Sequence, residues 1–125
     1  MKLKEILNTE VFVVKKDDTI KQAMNKMVEK EINGMPVIDE EQNLVGMVVK
    51  ADIYRFLIEP GHYDSCPVDW VMSKGTITAN PNEDILDVAK RLKENHIIAM
   101  PVLEEGKVVG IVSIEDLLSY FIKHS

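Results

Sequence analysis

Few residues in this 125-residue chain are of a type and spacing that could do chemistry. No serine, threonine or cysteine sits in a recognisable nucleophile-base pattern. There is no glycine-rich phosphate loop and no CxxC pair, so catalysis has no visible apparatus. His62, His96 and His124 are scattered and show no metal-ligand spacing. Cys66, the single cysteine, lies beside Pro67, reads as inert, and excludes a disulfide within the chain. What stands out is Ser113-Ile114-Glu115-Asp116. Ser-x-x-Asp at a helix start is an N-cap arrangement, with the acid at the positive end of the helix dipole. Asp52 is its counterpart earlier in the chain, but there Val49 stands where Ser113 would be, followed by Lys50.

The two aspartates belong to a larger repeat. Ile32-Asn33-Gly34-Met35-Pro36-Val37-Ile38 returns as Ile97-Ile98-Ala99-Met100-Pro101-Val102-Leu103, 65 positions on. After a one-residue deletion the offset is 64, and Val45-Gly46-Met47-Val48 returns as Val109-Gly110-Ile111-Val112. Spacing held across several elements identifies an internal duplication. Two similar halves about a pseudo-twofold axis are the expected result.

Each copy reads β-α-β-β-α, an α/β (α+β) class. In the first, Val11 to Val14 is β-branched and aromatic and predicts a strand. Thr19 with Gln22 resembles a capping box. Ile20, Ala23, Met24, Met27 and Val28 then form one helical stripe, which Gly34 stops. Met35 to Ile38 and Leu44 to Val49 are strands about a polar turn, and Ala51 to Ile58 closes with a helix. In the second copy, Thr76 to Ala79 is the strand, and Ile85, Val88, Ala89 and Leu92 form the stripe. Met100 to Leu103 pairs with Val108 to Val112, and Ile114 to Ile122 closes. The expected domains are repeat 1 over 1–58, a linker over 59–67 holding Pro60, Gly61 and Pro67, and repeat 2 over 68–125. Most methionines read as core filler, and Trp70 as a packing anchor beside the linker.

Bulk properties set limits. Hydrophobic residues make up 46% of the chain, enough for a real core. A net charge of −6 argues against a nonspecific nucleic-acid binder, which needs a basic face. No apolar run approaches the roughly 20 residues of a membrane helix. The N-terminus is not a signal peptide, and a lone cysteine fits a reducing cytoplasm.

These motifs together resemble a tandem pair of cystathionine-β-synthase (CBS) domains, also called a Bateman module. The matching residues are Asp18-Thr19-Ile20, Gly34-Met35-Pro36-Val37, Val45-Gly46-Met47-Val48 and Asp52. In the second copy they are Glu83-Asp84-Ile85, Ala99-Met100-Pro101-Val102, Val109-Gly110-Ile111-Val112 and Ser113-Ile114-Glu115-Asp116, with Asp69-Trp70-Val71-Met72 as a lead-in. The resemblance covers nearly the whole chain and implies two repeats packed sheet to sheet. It implies a stand-alone regulatory module, not an enzyme, that senses an adenosine-containing ligand in the cleft between repeats. No cofactor is obligatory; AMP, ADP, ATP or S-adenosylmethionine are the candidate regulatory ligands. A homodimer through the helices and an unidentified regulated protein are the implied partners, with neither nucleic acid nor membrane. The alternative is a ligand-free scaffold that dimerises or docks on an enzyme or transporter.

By the same resemblance, the aspartate holds both ribose hydroxyls, and the Ser hydroxyl with the helix N-terminus suits a phosphate. Asp116 and Ser113 match both roles, and the pure cap reading of Ser113 stays open beside this one. Asp52 matches the first role; Val49 departs from the second, where Lys50 could supply charge. Base-pocket positions for the Asp116 cleft are Leu7, Glu10, Phe12, Ile32 and Asn33, with Ile111. For the Asp52 cleft they are Met72, Gly75, Ile77, Ile97 and Ile98, with Met47. Plain core packing is the competing reading of each. Phosphate-binding relatives often carry His or Arg where Asn33, Gly34, Ile98 and Ala99 stand, so AMP or an uncharged adenosine derivative fits better than a triphosphate.

Overall fold

The computed structural model describes residues 1–124. Their order is β1 (Val14–Lys15), α1 (Ile20–Lys30), β2 (Gly34–Ile38), β3 (Leu44–Val49) and α2 (Lys50–Leu57), then α3 (Ile85–Glu94), β4 (Ala99–Glu104), β5 (Lys107–Ser113) and α4 (Ile114–Lys123). Single 3-10 turns at Leu3–Glu5 and Val68–Trp70 open the two copies. One sheet has the order β1-β2-β3, with β1 parallel to β2 and β2 antiparallel to β3; the other is the antiparallel pair β4-β5.

The duplication persists as two compact units whose boundaries differ from those of the sequence repeats. One is Phe12–Thr76. The other joins Met1–Val11 to the described residues from Ile77 on. Each copy's lead-in is thus built into the unit that carries the other copy's helices. In the first unit Val68 N–H donates to Asp18 O and Ile20 N–H to Cys66 O. In the second, Leu3 N–H donates to Glu83 O and Ile85 N–H to Met1 O. The two cores correspond position for position. Val14, Ile20, Ala23, Met27, Met35, Val37, Val48, Ile53 and Val68 fill one. Ala79, Ile85, Val88, Leu92, Met100, Val102, Val112, Leu117 and Leu3 fill the other.

Gly46 and Gly110 permit this arrangement. A Cβ on Gly46 would lie 2.6 Å from Ser73 O, and one on Gly110 would lie 2.7 Å from Asn8 O. Both distances are shorter than a carbon-oxygen contact tolerates, so the Val-Gly motif is glycine because lead-in backbone crosses there. Met47 and Ser73 exchange both backbone hydrogen bonds, and Ile111 N–H donates to Asn8 O.

The helices follow from their caps. The box at α1 is present: Gln22 N–H donates to Thr19 Oγ1 and Thr19 N–H to Gln22 Oε1. Asp84 caps α3 through Leu86 N–H. Several expectations need correction. The strand over Val11 to Val14 shrinks to Val14–Lys15, and Thr76 to Ala79 keeps only an isolated parallel bridge, Ala79 to Val102. In both places the acidic break takes the next backbone donor: Lys15 N–H donates to Asp18, and Asn80 N–H to Glu83. The ladder ends where those side chains take over. Gly34 does not stop α1; Glu31 does, in the left-handed conformation at φ 55°, and Gly34 opens β2. Val28 is solvent-exposed, leaving the stripe to Ile20, Ala23 and Met27. Trp70 is 62% exposed and anchors no core. Met27, Met35 and Met100 are fully or almost fully buried.

The exchanged lead-ins give a direct test. Leu3→Ala removes a fully buried side chain and should cost about 2–5 kcal/mol, the range for such truncations. Native-state hydrogen exchange should then quicken in α3, β4 and β5 while β2 and β3 keep their protection. Val68→Ala should do the reverse. Loosening of β2 and β3 by Leu3→Ala would contradict the exchange.

Candidate functional site

Strand β5 runs straight into α4, with Ser113 as both the last strand residue and the N-cap. Its backbone is extended, φ −122° and ψ 163°, so the side chain turns over the open helix end. Asp116 N–H donates to Ser113 Oγ at 3.1 Å, and Ser113 N–H donates to Asp116 Oδ2 at 2.9 Å. The cap reading is therefore correct, but it does not exhaust either side chain. The hydroxyl keeps its proton to donate, and Asp116 Oδ1 remains open to accept. Both residues are half-buried.

The matching helix start is built differently. Val49 caps α2 with no side-chain hydrogen bond. Lys50 N–H donates to Asn33 O, as Ile114 N–H does to Ile98 O, so the backbone join is the same in both copies. Asp52, however, accepts from Arg55 Nη2 through Oδ1 in an i,i+3 ion pair. Arg55 is a residue the motif comparison passes over. It becomes visible only when the copies are aligned beyond Asp52, where Ser119 matches it.

The other candidates divide between the units. Leu7, Glu10, Ile77, Ile97, Ile98 and Ile111 share the unit of Ser113 and Asp116. Phe12, Ile32, Asn33, Met47, Met72 and Gly75 share that of Lys50 and Asp52. Leu7, Ile77 and Ile97 pack on the edge of one core, and Ile32 and Met72 on that of the other, as the packing reading requires. Ile98 is the exception at 71% exposed, an apolar side chain that its own unit does not bury. Glu10, Asn33 and Gly75 are exposed, and Phe12 lies under Lys30, whose Nζ is 5.0 Å from the ring centroid.

The remaining polar features serve structure. His96 is exposed, with left-handed backbone at φ 54°. The His62 ring stacks on Phe56 at 3.9 Å, with Nδ1 2.9 Å from Phe56 O; a carbonyl only accepts, so Nδ1 carries the proton. Cys66 is half-buried and unpaired. Among the described residues no cluster of three or more His, Cys, Asp or Glu side chains could hold a metal ion, and no helix is long and apolar enough to cross a membrane. A shallow depression of about 350 Å³ is lined by Glu83, Asp87, Lys90, Arg91 and Glu94. Its cation is spent: Arg91 donates to both Glu83 carboxylate oxygens and to Thr78 O. Lys26 Nζ, at the matching position, donates to Val13 O, so this is a brace kept in both copies.

The Arg91 guanidinium holds the Glu83 carboxyl below the ordinary carboxylate range, and Glu83 in turn raises Arg91. A lowered acid pKa contributes stability above its unfolded value, and that stability is lost as pH falls through the folded value. Arg91→Met should therefore flatten the acid limb of the stability-pH curve, with a cost near neutrality of about 1 kcal/mol or less for so exposed a pair. Denaturant titrations at a series of pH values check this; an unchanged acid limb would remove the brace from the account.

A model of the CBS domain matches residues 3–59 and again 68–123. The CBS domain-containing protein YhcV of Bacillus subtilis is 30% identical over 115 residues, covering 92% of this chain and 81% of that protein. Uncharacterized protein MJ1225 of Methanocaldococcus jannaschii is 27% identical over 116 residues, but the chain spans only 41% of its length. Several other relatives are longer still: the chain spans 24% or less of two enzymes it matches. Among solved structures, the CBS domain pair of protein MJ0100, in complex with 5′-methylthioadenosine and S-adenosyl-L-methionine, superposes with a TM-score of 0.88. It is 27% identical and covers 100% of this chain and 98% of that one. With two matched domains, a shared fold and a shared set of motifs, the chain belongs to the CBS domain family as a tandem pair.

Proposed function

We propose that the chain is a regulatory module that binds an adenosine-containing ligand at the start of α4. Asp116 Oδ1 accepts from the ribose hydroxyls, and the Ser113 hydroxyl with the helix N-terminus receives the 5′ substituent. The observation that carries this reading is the capping box itself, which orients both side chains yet leaves one carboxylate oxygen and one hydroxyl proton uncommitted. The MJ0100 pair, with its methylthioadenosine and S-adenosylmethionine, supports the ligand class. Few positive groups surround the proposed site: Ile98 and Ala99 stand where a cation would neutralise phosphates. AMP or an uncharged adenosine derivative is favoured over ATP for that reason. The role is regulatory, not catalytic, and a reducing cytoplasm is the proposed setting for the free Cys66.

Calorimetric titration with AMP, 5′-methylthioadenosine and S-adenosylmethionine tests the assignment. Asp116→Asn keeps the cap acceptor and removes the charge, so apo stability should change little. Losing the charged acceptor should weaken binding by about 1.5–3 kcal/mol. Asp52→Asn should leave affinity nearly unchanged. Equal losses in the two variants, or no binding by the unmodified chain, would refute the site.

The exposed apolar side chains support a second element of the reading, a homodimer through the helices. Ile58 is 79% exposed, Ile122 75%, Leu86 56% and Leu118 55%. Helices with so much apolar surface in water favour association. Light scattering at micromolar concentration should report twice the 14.2 kDa chain mass. A mass of one chain would leave those faces for another protein and strengthen the ligand-free scaffold alternative.

A further inference from the structure

The two helix starts are the one place where the copies differ in chemistry while their cores agree. An offset of 64 equates Val49 with Ser113, Lys50 with Ile114, Asp52 with Asp116 and Arg55 with Ser119. Around Asp116 the acid is oriented by backbone and serine, and no cation competes for it. Around Asp52 there is no capping hydroxyl, and Arg55 reaches back one turn to the carboxylate.

We infer that Arg55 closes the Asp52 helix start to ribose, so that the module takes one adenosine-type ligand per chain, at Ser113 and Asp116. The inference rests on the functional reading above and adds its stoichiometry and the residue that sets it. The physical reason is competition for lone pairs. A diol needs a carboxylate that accepts two hydrogen bonds, and a guanidinium one turn away on the same face donates to those same oxygens. It is tethered, so its effective concentration exceeds that of any free ligand. The Asp52 side chain is 27% exposed and that of Arg55 is 70% exposed, which makes the pair a removable plug and not a buried strut. Val49 compounds the closure, since it has no hydroxyl to offer a phosphate. Ser119 has no charge with which to do the same to Asp116.

The test uses adenosine, which has no phosphate for Arg55 to attract, with AMP as a second probe. The unmodified chain should bind one equivalent of adenosine, and Asp116→Asn should lose it. In the Asp116→Asn background, Arg55→Ser should strengthen binding at Asp52 up to about fivefold, the upper end for freeing an exposed ion pair. Adding Val49→Ser should strengthen it further by rebuilding the box. Two equivalents bound by the unmodified chain would overturn the inference alone. So would a loss of AMP affinity on Arg55→Ser, which would make the guanidinium a ligand-binding group. If one equivalent binds and the Arg55→Ser, Val49→Ser background gains nothing, the plug is wrong and the Asp116 site stands. If neither the unmodified chain nor that variant binds adenosine or AMP, the functional reading fails and this inference fails with it.

Discussion

Gly46 and Gly110 are bare because another stretch of backbone lies where their side chains would be. That crossing is the constraint on which the rest depends. It lets lead-in backbone reach the strand that ends in a helix start, and it fixes that strand by hydrogen bonds at Met47 and Ile111. Each lead-in also places one fully buried side chain in the core it joins, Leu3 in one unit and Val68 in the other. A duplicated chain of this size could have folded as two self-contained halves. With its lead-ins exchanged, neither copy of the sequence completes a core by itself.

The helix starts inherit their precision from that frame. Ser113 ends a strand braced by β4 on one side and by Asn8 on the other, so the position of its hydroxyl is set by backbone hydrogen bonds. A capping box of this kind is first a stability device, worth about 1 kcal/mol in typical helices. It is also a way to hold a hydroxyl and a carboxylate beside the partial positive charge of a helix end with no further residues. Structural and ligand-binding readings of Ser113 and Asp116 are therefore not rivals. The same hydrogen bonds that satisfy the helix end pre-orient the groups a ribose would meet, which lowers the cost of ordering them on binding.

Much of this was legible in the residues. The repeat, the helical stripes, the hairpins and both capping boxes follow from spacing and side-chain chemistry, because each is local or periodic. Two things were not. The shortened strands at Val14 and Ala79 depend on Asp18 and Glu83 taking backbone donors, a competition that β propensity does not weigh. Arg55 escaped because attention stopped at Asp52, the last residue of the recognised motif. The exposure of Val28, Trp70 and Ile98 was equally hidden, since hydropathy records what a side chain would prefer and not whether a partner surface exists.

The comparison of copies also shows where selection on this chain has been strict and where it has not. Nine buried positions keep apolar character in both copies, with exchanges such as Met27 for Leu92 and Ile53 for Leu117 that roughly conserve volume. The basic brace keeps its role while changing from Lys26 to Arg91. The helix starts keep only the aspartate, and change the residue three before it and the residue three after it. A position free to drift would not retain an acid at both sites while its helical neighbours lose all resemblance. A position serving the cap alone would not trade its serine for valine and leave the acid behind. The pattern fits an ancestral ligand-holding carboxylate kept in use at Asp116 and turned, at Asp52, to an intrahelical ion pair with Arg55.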